Sequence, residues 1–116
     1  KEIVTLVYTT QSPSGSKTWR VVNDNLRVTI TAKSNTGQVI STKNIRANYT
    51  KFGLLISNLE KANFTESKSI PVNSLTVTSE TLIIETHAKT YTYTQNKSTR
   101  FPKGIQEAAS FITRTF

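Results

Sequence analysis

The chain has 116 residues, 35% of them hydrophobic, and a formal net charge of +8, which suits one core and one domain spanning residues 1–116. It has no cysteine, which excludes disulfides, thiolate zinc sites and thiol nucleophiles, and no apolar run approaches the ~18 residues of a membrane-spanning helix. Threonine supplies about one residue in six, a usage suited to the wet face of an antiparallel sheet because threonine is β-branched yet polar.

In chain order, strands come first. "IVTLVYTT" (3–10) is apolar on both faces, with Val4, Leu6 and Tyr8 on one and Ile3 and Val7 on the other, which predicts a central strand. "QSPSGSK" (11–17) reads as a loop punctuated by Pro13 and Gly15. "TWRVV" (18–22) is a short strand, and "NDN" (23–25) is a tight turn of residues that tolerate left-handed dihedrals. "LRVTITAK" (26–33) alternates most clearly: Leu26, Val28, Ile30 and Ala32 take one side, Arg27, Thr29, Thr31 and Lys33 the other. "SNTG" (34–37) turns and "QVISTK" (38–43) returns, so residues 18–43 form a three-stranded meander.

The period then changes. In "NYTKFGLLISNLEKANF" (48–64), Tyr49, Phe52, Leu55, Ile56 and Leu59 share one helical stripe, with Asn48 as N-cap and Lys61 near the C-terminus. Gly53 inside this helix is expected where the backbone approaches the sheet closely. A loop (65–74) leads to strands within 75–95, turning at "HAK" (87–89), with Leu82 and Ile84 on one face. On the returning strand Tyr91 and Tyr93 face one way and Thr90, Thr92 and Thr94 the other. "NKSTRF" is a loop, Pro102 sits at or just before a first helical turn, and residues 103–116 carry Ile105, Ala108, Ala109, Ile112 and Phe116 on one side. The predicted fold is α+β: a single antiparallel β-sheet of about five to seven strands with two amphipathic helices packed on one face, in the order β-βββ-α-ββ(β)-α. The other face, rich in Thr, Arg and Lys, meets solvent.

Catalysis finds little support. His87 lies in a turn, Asp24 is explained by turn chemistry, and the glutamates show no paired spacing for acid–base work or a hard cation. No nucleophile motif, phosphate-binding loop or metal constellation appears, so no catalytic residue, metal or cofactor is expected. Lys97, Arg100 and Lys103 cluster before a predicted helix N-terminus, where free N–H groups favour an anion. Tyr91 and Tyr93 are candidate contacts beside them, although alternating tyrosines on a strand also suit a core facing helices. The expected partner is an anionic ligand or an acidic protein surface met by the basic sheet face. Nucleic acid is disfavoured, since Lys17, Arg20, Arg27, Lys33, Lys43, Arg46, Lys51, Lys68 and Lys89 are scattered along the chain. The absence of methionine, even at position 1, leads us to expect a processed or trimmed product, with membrane attachment only through an N-terminal anchor outside this chain.

The helix segment 48–64, followed by "AKTYTYT" (88–94) and "FPKGIQEAASFI" (101–112), resembles small uncharacterised exported proteins or lipoproteins of Bacteroidetes-type bacteria. The resemblance covers residues 18–116. It implies an extracytoplasmic location (periplasm, outer-membrane lipoprotein or secreted) and no assigned activity. The chain departs from that pattern at "NKSTR", which is basic where an acidic or glycine-containing loop is usual.

Overall fold

A computed structural model of the chain describes residues 3–23, 26–46, 49–61, 78–96 and 100–116. Among the described residues six strands and two helices follow one another: β1 (Ile3–Ser12), β2 (Gly15–Val22), β3 (Arg27–Ser34), β4 (Val39–Arg46), α1 (Tyr49–Lys61), β5 (Ser79–Thr86), β6 (Thr90–Gln95) and α2 (Lys103–Thr115). The strands form one antiparallel sheet in the spatial order β4-β3-β2-β1-β5-β6. β1 is therefore internal, as its two-sided apolar pattern predicts.

The register of β1 explains why one face is apolar. Leu6 lies between Val21 and Ile84, and its row extends to Val28 and Ile45 on one side and Tyr91 on the other. Two residues along, Tyr8 lies between Trp19 and Leu82, with Ile30 beyond the first and Tyr93 beyond the second. Because strand side chains alternate between faces, both rows project to the same side. There they meet Phe52, Leu55 and Leu59 of α1 and Ile105, Ala108, Ala109 and Ile112 of α2, all buried in one core. The two helices also contact each other. Each presents residues spaced three and four apart, as an amphipathic helix on a sheet requires.

Several sequence expectations are corrected by the structure or lie outside the described residues. Residues 11–17 are not a loop: β1 runs to Ser12 and β2 starts at Gly15, leaving a tight turn at Pro13 and Ser14. Gly15 has φ +147°, and a Cβ there would lie 2.2 Å from the Lys33 carbonyl oxygen, so this close strand approach needs glycine. The meander accordingly has four strands, β1 to β4. Leu26 does not open β3 but adopts the left-handed region at φ 55° in the preceding turn. Its side chain is nonetheless buried, and that burial, about 1.5–3 kcal/mol, offsets a left-handed cost of about 1–2 kcal/mol. Gly53 is exposed, with nothing within 4 Å of its would-be Cβ, so it marks no close approach to the sheet. Asn48, the loop at 65–74 and a third strand within 75–77 lie outside the described residues.

Pro102 stands directly before α2, at φ −54° and ψ 153°, and its carbonyl accepts the Gln106 N–H at 2.9 Å. The proline ring fixes φ without removing a needed helix donor.

Two neighbouring positions on α1 test this packing by urea denaturation. Gly53→Ala is expected to stabilise the protein by about 0.4–1 kcal/mol, because the helix gains propensity and loses no contact. Leu55→Ala is expected to destabilise it by about 2–5 kcal/mol. Destabilisation by Gly53→Ala would show that a neighbour occupies that space after all.

Candidate functional site

The corner where β6 runs into α2 holds most of the residues singled out in the sequence. Arg100 and Lys103 are exposed, and Lys97 lies outside the described residues. Tyr93 is 3% exposed and belongs to the core, so its ring serves packing against the helices and is not presented to a ligand. Tyr91 is half-buried at the margin of the core, with Lys89 Nζ 5.4 Å from its ring centroid. The structure thus keeps Arg100 and Lys103 near each other in the chain at the start of α2 and turns the tyrosines inward.

Beside Arg100 lies a cleft of about 320 Å³, lined by Thr10, Thr78, Ser79, Glu80, Gln95, Asn96 and Arg100. Its floor is a polar network that the sequence alone did not reveal. The Tyr8 hydroxyl donates to Glu80 Oε1 at 2.6 Å, and Gln95 Nε2 donates to Glu80 Oε2. Gln95 Oε1 in turn accepts the Phe101 N–H at 3.0 Å. The register makes this possible: Thr10, Glu80 and Gln95 occupy one row, immediately beyond the Tyr8–Leu82–Tyr93 row. The network ties β1, β5 and β6 to the segment entering α2. Burial, then the hydrogen bond and the charge of Glu80, raise the Tyr8 pKa far above the ordinary phenol value.

The opposite face of the sheet has a different character. Thr42, Thr31, Thr18, Thr9, Thr81 and Thr94 form a continuous row across all six strands. Thr9 and Thr18 hydroxyls lie 3.2 Å apart. Arg20, Arg27, Lys33 and Arg46 share this face and are exposed, whereas Val7, Val22 and Ile83 lie half-buried near its middle. Thr5, Ser79 and Thr94, of the same parity, are buried.

The charges are partitioned strand by strand. β2 carries Lys17 and Arg20, β3 carries Arg27 and Lys33, and β4 carries Lys43 and Arg46; none of the three contains Asp or Glu. Among the described strands the carboxylates, Glu80 and Glu85, are both on β5. Residues far apart along the chain are thereby gathered onto one half of the sheet. Arg27 and Arg46 are even direct cross-strand partners, a placement in which like charges repel. Along the sequence these cations are scattered, and only strand register brings them together.

Comparison with protein-family models, curated proteins and solved structures finds no match to this chain.

The Tyr8–Glu80 bond predicts a pH dependence. Tyrosine in the unfolded chain releases its proton near pH 10, whereas folded Tyr8 holds it to higher pH. Above that pH the unfolded state binds fewer protons than the native state, so stability falls as pH rises through and beyond 10. Urea midpoints measured from about pH 9 to 11 are expected to fall less steeply for Tyr8→Phe than for the wild type. Equal slopes would mean that the phenol is not held in this way.

Proposed function

We propose that the chain is a non-enzymatic binding module that docks an acidic protein surface through the cationic half of its sheet. One observation carries this reading: three adjacent strands hold six lysines and arginines and no carboxylate. Such a concentration of one sign costs self-repulsion and is relieved by a complementary surface. Val7, Val22 and Ile83, half-buried on the same face, add partial apolar surface beside the exposed arginines. Arg20, Arg27, Lys33 and Arg46 lie on the face away from the helices and Lys17 and Lys43 on the helix side, so the charge lies on both sides of this half of the sheet, which favours docking over chemistry.

The extracytoplasmic address belongs to the same proposal. It is supported by the Thr-, Ser- and Asn-rich composition and by the resemblance to exported proteins. Under this reading a lipid anchor would lie outside the chain, and no membrane helix is called for: no described helix is long and apolar enough to cross a bilayer. Arg100 and Lys103 offer a second, smaller anion contact at the start of α2.

Polyglutamate and single-stranded DNA, each titrated at low and high salt, test the reading. Polyglutamate is expected to bind, and binding is expected to weaken steeply with salt. Exchanging Arg20, Lys33 and Arg46 for glutamate should reduce affinity at least about tenfold, since like-charge juxtaposition is strongly unfavourable. Exchanging Arg100 and Lys103 should change it by less than about threefold, as expected of rim charges. Tighter binding of DNA than of polyglutamate would point to nucleic acid instead, and loss of binding only in the Arg100/Lys103 variant would move the site to α2.

A further inference from the structure

The cationic half of the sheet ends in a strand whose outer side is open. β4 pairs with β3, and no described strand lies beyond it. Seven of its eight residues are exposed and the remaining one, Ile45, is half-buried. Ser41 and Lys43 point to the helix side of the sheet yet are exposed, so the helices do not extend over this edge. The strand is also graded. Val39 and Ile40, 54% and 68% exposed, stand at its start; Lys43 and Arg46 stand in its second half, on opposite faces.

An edge strand exposes a row of unpaired N–H and C=O groups and so is a template for another strand. Proteins guard such edges with lysines and with bulges, and β4 has both: Lys43, and a register shift that leaves Ile40 without a partner on β3. These devices discriminate by charge rather than closing the edge. A second copy of this chain, pairing β4 with β4, would bring two carboxylate-free, cationic half-sheets together. An acidic strand meets the opposite situation, because Lys43 offers a cation on one face and Arg46 on the other. Side chains on directly opposed residues lie about 4.5–5.5 Å apart, within reach of an ion pair on either face.

From this we infer that the outer edge of β4 accepts an extended segment of a partner protein as a seventh strand, acidic where it passes Lys43 and Arg46 and apolar where it passes Val39 and Ile40. Backbone hydrogen bonds would supply affinity and the graded side chains would supply direction, as in other strand-addition complexes. This rests on the acidic-partner reading above and adds the mode of recognition.

The probe is a peptide of about eight residues, the length of a typical strand, with glutamates in one half and valines and threonines in the other. A twin with every backbone nitrogen methylated keeps the charges but cannot donate hydrogen bonds. The expected result is that the plain peptide binds and slows amide hydrogen exchange across β4, while the methylated twin does not bind. Lys43→Glu with Arg46→Glu, both at exposed positions, should weaken the plain peptide on the order of tenfold. Equal binding of the two peptides would overturn the strand-addition inference and leave charge docking standing. Protection of β6 amides in place of β4 would overturn it also, as would self-association through β4 at low peptide concentration. If neither the peptides nor polyglutamate bind, the acidic-partner reading fails as well.

Discussion

The structure depends on the position of β1 between β2 and β5. Its pairing on both sides sets the parity of every other strand, because a shift of one residue would turn each apolar row to the opposite face. With Leu6 and Tyr8 fixed toward the helices, Val21, Val28, Ile84 and Leu82 must follow, and α1 and α2 have a surface to cover. The same pairing decides what the helices leave uncovered. Threonines and arginines reach the open face for no other reason than that they alternate with the core residues of the same strands.

The network at Glu80 is best seen as the end of that core. Beyond Tyr8 the rows become polar, and the carboxylate is held by a phenol and an amide from two different strands. A partly buried carboxylate with both oxygens occupied avoids the penalty of an unsatisfied charge. Gln95, bonded on both sides, fixes the point at which the chain leaves the sheet and enters α2. The basic corner at Arg100 is positioned by this framework.

Much of the fold was legible because the apolar periods are clean. Val28 and Ile30 alternate with polar residues, while Phe52, Leu55 and Leu59, like Ile105, Ala108, Ala109 and Ile112, recur at helical spacing, and all are buried. The start of β2 was missed because Gly15, Ser16 and Lys17 lie past the edge of the core, where a strand needs no apolar residue. Leu26 was misplaced because its side chain belongs to the core while its backbone belongs to the turn, and hydropathy reports only the first. The candidate site was the least legible part. Tyr93 was correctly assigned to a strand face, but whether that face met helices or a ligand depended on where α2 lay. The cationic half-sheet depended on register between segments up to thirty residues apart, such as Lys17 and Arg46, which no local pattern contains.

Chain order gives the central position of β1 one more meaning. β1 is translated before β5, and its second neighbour exists only once Ser79–Thr86 has left the ribosome. Until then the nascent meander has a bare side at β1 and a greasy surface awaiting α2, which comes last. Pairings so distant along the chain form slowly. Until that pairing forms, the side of β1 away from β2 is an unpaired edge that another polypeptide can occupy.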